Sequence, residues 1–436
     1  MSNSSTWNTP LVQNDEPKGP PEPPIHIVYT GQTPPVDAWK QSVFLAGPTR
    51  RQDPDNPQED KSSWRKEAVK LLEQHGFRGV VYYPEYAPDA VPGTLSMPTY
   101  EQQVRWEINN LNRADCIMFW VPRDLTHLPA FTTNIEFGKW CDSGKVVLGY
   151  PPGTPKMRYM QLIMDALGGT RCFTLELAIK NVMSMVGKGA LRGPGENSVP
   201  LMVWNLESFQ KWYQSLQNNG NRLDDARVLW TFTLPNNSIF AWVLWVKIWI
   251  EAEQRWKYNE FVFSRPDTSM ILMYRMPPSD RADVSHRDLM KAEVVLVKEF
   301  RSPVRNTEGM VVELAGGSSF KPDQDHLQVA MDEVKEETGI EIPKERFKQL
   351  KHRQVAATLA AHHAHLFVVE LTAEEMAQAR EAADAGETHG VEADTERTYL
   401  EVSTIKQLLD NGVVDWATLG MIFEGLVTDQ TVIVEG

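Results

Sequence analysis

The chain has 436 residues, enough for two or three domains with sizeable cores. Apolar residues make up 42% and charged residues 23%, which excludes a wholly disordered, collagenous or coiled-coil chain. A net charge of −14 argues against a nucleic-acid partner, whose phosphates require clustered Lys and Arg. The longest apolar run, residues 239–250, contains Lys247 and is too short to span a bilayer, so no membrane is expected either. Cys116, Cys141 and Cys172 suit neither a disulfide framework nor a metal-ligand spacing. Residues 1–24 are polar and Pro-rich, which reads as a disordered tail without the apolar centre of a signal peptide. A reducing, cytoplasmic setting is the expectation.

In chain order, residues 25–29 and 42–46 are short strand-like runs, the second ending in Gly47-Pro48-Thr49 and then Arg50 and Arg51. Residues 61–75 carry helical spacing, with Trp64, Ala68, Leu71 and Leu72 on one face and Gly76 as the stop. Strands are expected at 80–83, 116–121 and 146–150, and helices at 100–113 and 132–141. Continuous apolar strands alternating with helices imply a parallel sheet covered on both faces. Residues 158–226 read as a helical connector with a glycine-containing loop at 187–200. From residue 227 the pattern becomes β-rich, with one acidic helix at 325–338 and a terminal helix at 416–425, an α+β unit. The fold class expected is thus α/β: a flavodoxin- or Rossmann-like domain over 25–157, then a second domain over 227–436.

Two groups of carboxylates carry chemistry. The first lies around Glu107 and Asn134-Ile135-Glu136-Phe137-Gly138. In an open α/β sheet such groups gather at the C-terminal crevice. Glu136, read as near a helix N-terminus, is expected to be stabilised as an anion by the dipole. Ionised, it could attack a sugar carbon, with Glu107 holding hydroxyls or serving the leaving group as acid. Spacing alone leaves solvated helix residues as the commoner alternative.

Residues 42–150 resemble the nucleoside 2-deoxyribosyltransferase family in its broader N-glycosidase-like branch. The likeness is carried by Val43-Phe44-Leu45-Ala46-Gly47-Pro48, by Ala114-Asp115-Cys116-Ile117-Met118, and by Asn134–Gly138 leading to Ser143-Gly144-Lys145-Val146-Val147-Leu148. The resemblance puts the nucleophile on Glu136 and the acid on Glu107, and gives this domain no cofactor. The family's second base-contacting acid has no counterpart; Ala130 or a Thr lies there. By the same resemblance Gly47, Thr49, Arg50 and Arg51 would contact a substrate phosphate at the first strand-to-helix turn. Asn134 and Arg123 are further substrate-contact candidates, Arg123 having a structural ion pair as its other reading.

The second group is Glu333, Glu336 and Glu337, at i, i+3, i+4 on one helical face. Like charges so placed repel unless a hard cation sits among them. Val311-Val312-Glu313-Leu314-Ala315-Gly316-Gly317 with Asp332-Glu333-Val334-Lys335-Glu336-Glu337-Thr338-Gly339-Ile340 resembles the Nudix box, in the ADP-ribose pyrophosphatase branch. The resemblance implies an α/β/α sandwich and Mg²⁺ or Mn²⁺ held by Glu333 and Glu337, with Glu336 in support and the Ala315 carbonyl as a further ligand. It also implies a general base at Glu396, with Glu387 and Glu392 as rivals, and Arg301 beside the substrate. Asp332 stands where the box carries Arg. Proteins of this branch are usually dimers, so a homodimer or higher homo-oligomer is expected, with the strand at 239–250 and its Trp242, Trp245 and Trp249 in core and interface. His362, His363 and His365 precede a strand, and hydrogen bonding is favoured over zinc.

Together these readings give a bifunctional enzyme acting on small nucleosides or nucleotides. One domain would cleave or transfer an N-glycosidic bond and the other would hydrolyse a diphosphate-linked compound such as ADP-ribose. If the first stripped the base from a dinucleotide such as NAD, its product would feed the second. The alternative is a nucleotide-sensing protein in which one or both sites bind without turnover.

Overall fold

In the computed structural model, which describes residues 25–49, 63–91, 98–236, 238–278, 289–318, 324–390 and 397–432, four strands are buried at every residue. Two of them are β2 (Ser42–Ala46) and β4 (Cys116–Trp120). Their lack of polar alternation is what coverage on both faces demands. With β1 (His26–Tyr29), β3 (Val80–Tyr83), β5 (Val146–Gly149) and β6 (Arg171–Cys172) they form a six-stranded sheet in the order β1-β3-β2-β4-β5-β6. Every pair is parallel. Without the edge strand β1, the order is that of a flavodoxin-like doubly wound sheet, whose winding reverses between β2 and β4. The α/β expectation holds.

Local sequence explains the helices of this unit. In α1 (Trp64–Gln74) the Ser63 hydroxyl accepts from the Arg65 amide. A capping box between Thr99 and Gln102 opens α2 (Tyr100–Arg113). By contrast α3 (Phe131–Trp140) has no side-chain cap and begins from Ala130, a non-glycine residue at φ +60°. A left-handed residue of that kind costs about 1–2 kcal/mol. The sheet buries Phe44, Tyr82, Ile117 and Phe119 on one face and Val43, Leu45, Val81 and Met118 on the other.

The chain divides into two compact units, 1–202 and 203–436. The expected connector over 158–226 is therefore split between them. After α4 (Arg158–Ala166), β6 extends the sheet, and α5 (Leu175–Val186) buries Ala178, Ile179, Val182 and Val186 in its core. The loop that follows is anchored by Arg192, whose guanidinium grips Asp115 at 2.9 and 2.6 Å. Asp115 also accepts from the Ser42 amide and hydroxyl and from the Leu201 amide, each within 2.9 Å. This pair is wholly buried. A buried carboxylate with a bidentate partner and three further donors ties the loop to the sheet, which helical periodicity alone does not reveal. The short α6 (Leu201–Trp204) follows.

The second unit opens with α7 (Glu207–Asn218) and an antiparallel sheet of β7 (Arg222–Thr233), β8 (Ile239–Ile250) and β9 (Arg255–Ser264). Trp242 is fully buried against Phe209 and Trp212 of α7, its indole N–H donating to Ser208 at 2.9 Å. Trp245 and Trp249 are only partly buried.

A mixed sheet makes up the rest. Its strands are β10 (Thr268–Arg275), β11 (Glu293–Phe300), β12 (Met310–Glu313), β13 (Ala315–Gly317), β14 (Lys348–Gln349), β15 (Arg353–Gln354), β16 (His363–Glu370), β17 (Thr388–His389) and β18 (Thr398–Thr404). One face packs on α8 (His326–Thr338) and α9 (Ala373–Ala385), the other on α10 (Ile405–Asn411) and α11 (Trp416–Val432). Ile271 and Met273 of β10 face the first pair, and Leu272 and Tyr274 the second, as a period of two requires. The unit is thus three-layered, helix on sheet on helix. No helix among the described residues is long and apolar enough to cross a membrane.

Candidate active site

The winding of the first sheet reverses between β2 and β4, and the chain leaves β2 through Gly47. Gly47 has φ +147°, and a Cβ there would lie 2.2 Å from the Trp120 carbonyl oxygen at the end of β4. Only glycine lets the two strand ends approach so closely. Above them sits Arg65, brought in by the first turn of α1 and almost fully buried. Its Nε donates to the Leu45 carbonyl at 2.9 Å and its Nη2 to the Gly47 carbonyl at 2.5 Å. Its Nη1 donates to Thr49 Oγ1 at 2.9 Å and to Glu85 at 2.6 Å. Ser63 donates to the same Glu85 oxygen at 2.6 Å.

Two carboxylates face this guanidinium. Glu136, on α3, is pushed up to about 8 by burial first and then by the charge of Glu107, with Arg65 opposing. Glu107, on α2, is also raised by burial, while a hydrogen bond from Gln103 at 2.9 Å and the charge of Arg65 pull the other way. Gln103 in turn accepts from the Tyr86 hydroxyl at 3.1 Å. The expectation that a helix N-terminus keeps Glu136 ionised is corrected here. Glu136 is the sixth residue of α3, beyond the first turn where the dipole acts, so burial and Glu107 decide its charge. The carboxylates, one fixed cation and an amide relay form a site that can hold sugar hydroxyls and pass a proton.

The other expected residues are distributed as follows. Thr49 is exposed and its hydroxyl is engaged by Arg65. Arg50 and Arg51 lie outside the described residues. Asn134 is exposed on α3 and accepts from Arg123 Nη2. Arg123 is buried, with its Nη1 donating to the Lys156 carbonyl at 2.9 Å, so it braces two chain segments. Sequence reasoning missed Arg65, Glu85 and Gln103. A cation in the first turn of an amphipathic helix carries no mark of burial, and only the packing of α1 over β2 shows it.

The second unit gathers a different acidic group. Glu337 on α8 is buried, accepts from the Gly316 amide at 2.9 Å and is held well above the usual carboxylate range. Burial is the main cause, then the charge of Glu333, with Glu299 and Glu313 adding. Glu313 is raised to about 7 by burial and by Glu299, against the pull of Arg301. Arg301, expected at a substrate, is paired with Glu299 and lies 3.9 Å from Glu313. Gly317 matters because a Cβ there would stand 2.1 Å from a Glu333 oxygen.

Glu336 is exposed, and the charges that act most on Glu337 are those of Glu333, Glu299 and Glu313. Asp332 is exposed and accepts from Gln328 at 2.8 Å. Ala315 is buried and paired with Ile271 in the sheet. Glu396 and Glu392 lie outside the described residues, and Glu387 is exposed. Glu299 and Glu313 are the acids that sequence reasoning missed here. Both sit on strands, where no helical spacing advertises them.

Residues 40–154 match a family model described as Nucleoside 2-deoxyribosyltransferase like. That match covers about a quarter of the chain and takes in β2, β4, Arg65, Glu107 and Glu136. It supports glycosyl transfer and nucleoside metabolism as the activity class of this domain. The match stops short of the second unit and lends the Nudix resemblance no support. No curated protein matches the chain.

Proposed function

We propose that the first unit breaks the N-glycosidic bond of a nucleoside or nucleotide through a covalent intermediate on Glu136. A carboxylate oxygen of Glu136 attacks the anomeric carbon as the carbon–nitrogen bond breaks. The departing base takes a proton from Glu107. Water or a second base then gives its proton to Glu107 as it attacks the same carbon, and the carbon–oxygen bond to Glu136 breaks. The observation that carries this reading is the meeting of Glu136 and Glu107 over Arg65 at the strand reversal, inside the segment that matches the family model. Arg65, itself paired with Glu85, adds positive charge that opposes the raised affinity of both acids for a proton. Mass-spectrometric product analysis with a panel of nucleosides and nucleotides tests it. Free base released by the intact protein and abolished in Glu136→Ala is the expected outcome; base release undiminished in that variant overturns it.

A second activity rests on the acidic group of the other unit. Glu299, Glu313, Glu333 and Glu337 crowd together with Arg301 as the cation paired within the group, and such a donor set fits a hard divalent ion such as Mg²⁺. Glu333 and Glu337, with Glu313, would hold it, and the ion when bound supplies charge neutralisation at a phosphate. The chain's own contribution is the Gly316–Gly317 end of β13, which orients Glu337 and leaves room for Glu333. Diphosphate hydrolysis of the Nudix kind is the proposed reaction. AMP formed from ADP-ribose with Mg²⁺, and absent with EDTA or in Glu337→Gln, is the expected result.

A further inference from the structure

Away from both acidic groups, Asp267, His326 and His365 bring ligand atoms within 4.8 Å of one another. They come from three separate places: the turn before β10, the first residue of α8, and β16. Parallel pairing of Ser269 with His365 aligns β10 and β16. Asp267 is held from behind, since its Oδ1 accepts from the His363 amide at 2.8 Å. Its Oδ2 lies 3.6 Å from His365 Nε2. The His326 ring lies 3.6 Å from that of His365, centroid to centroid, and its Nδ1 is 3.3 Å from the Ser269 hydroxyl. The Nδ1 of His365 is buried without a hydrogen-bond partner among the described residues. Two more imidazoles flank the group: His352 lies 4.9 Å from His365, ring to ring, and 2.8 Å from His363 between Nδ1 atoms.

Three half-buried imidazoles and an oriented carboxylate, with the exposed His352 beside them, are costly unless something uses their lone pairs. We infer that Asp267, His326 and His365 form a binding site for a borderline divalent metal ion of the zinc class. Two imidazoles and one carboxylate are a donor set such ions favour over Mg²⁺, and three protein ligands leave a fourth position open. Tetrahedral bonds of about 2.1 Å put ligand atoms roughly 3.4 Å apart. Metal binding would draw the ligand atoms from their present spread of up to 4.8 Å toward that spacing. The His363 amide is the outer hydrogen bond that fixes the carboxylate. Lys211 competes for the place: it donates to Asp267 Oδ2 at 3.0 Å and contacts Glu207 at 2.8 Å. Metal entry displaces this ammonium, which keeps Glu207. Because His326 and Glu333 are seven residues apart on α8, the site stands about 10 Å along the helix from the glutamates.

The test is Co²⁺ titration of the full chain, followed by visible spectroscopy and metal analysis. One equivalent of Co²⁺ with the intense absorption of four-coordinate cobalt is expected, displaced by Zn²⁺. His326→Ala and His365→Ala should each lose it, with circular dichroism showing that the fold survives. Glu337→Gln should keep it. Lys211→Ala, which leaves every ligand in place, should bind about tenfold more tightly. Absence of that spectrum from the intact chain and from Lys211→Ala overturns the inference. So does a weak, six-coordinate spectrum that disappears only in Glu337→Gln, which assigns the ion to the glutamates.

Discussion

Two kinds of carboxylate stand at opposite ends of β2 and β4. Asp115, where β4 begins, has a bidentate Arg192 and three more donors, all buried. Glu136 and Glu107, beyond the other end, share the charge of one guanidinium that is paired with Glu85, and are held above the usual carboxylate range. The difference separates stability from chemistry. A charge whose every lone pair is answered holds the fold, whereas an under-answered pair is poised to give, take or attack. Open α/β sheets bind ligands at the carboxyl ends of their strands, which is where the second kind is found.

The sharpest way to break this comparison is Glu136→Gln. Turnover of the nucleoside or nucleotide substrate should fall by roughly 10⁴-fold, the scale of losing a group that acts covalently. The melting temperature should hold or rise, because a buried acid facing Glu107 has been neutralised. A fall in melting temperature that tracks the lost activity would make Glu136 another structural acid. Arg192→Ala probes the other end. It leaves Asp115 buried and unpaired, and denaturant unfolding should show a loss of about 3–5 kcal/mol. A loss below roughly 1 kcal/mol would show that the other donors suffice.

The third prediction concerns pH. Glu136 binds its proton more tightly folded than unfolded, so between its ordinary 4.5 and about 8 the native state carries more protons. Stability from this group is therefore full below about 4.5 and declines as pH rises toward 8. kcat/KM should be bell-shaped in pH, rising as Glu136 ionises for attack and falling as Glu107 loses the proton it gives the departing base. Glu107→Gln removes the neighbouring charge and should move the midpoint of the rising limb downward. An unmoved midpoint would mean that burial alone sets it. The smallest effect is in the other unit. Mg²⁺ at ten times its dissociation constant should stabilise the protein by about 1.4 kcal/mol, and this should vanish in Glu337→Gln. Calorimetry with and without EDTA measures it.

Much of the first unit was legible in the sequence. The runs at 42–46, 80–83 and 116–121 are apolar without alternation, which only strands covered on both faces produce, and the structure places strands there. Helix 100–113 was legible too. Residues 158–202 were not, because β6 has two residues and the Arg192–Asp115 pair spans 77 positions. In the second unit β8 and the acidic helix could be read, while α10 went unseen, and Asp332 gave no sign that it would face solvent.

The sequence by itself determined the longer apolar strands, the amphipathic helices and the presence of Glu107, Glu136, Glu333 and Glu337, since hydrophobic period and residue type are local properties. Tertiary structure alone decided their charge. Glu136 lies beyond the reach of its helix dipole and beside Glu107, Arg65 is buried across β2, and Glu299 and Glu313 join Glu337 from neighbouring strands. Burial and through-space charge depend on what the fold brings near, and no spacing along the chain encodes them.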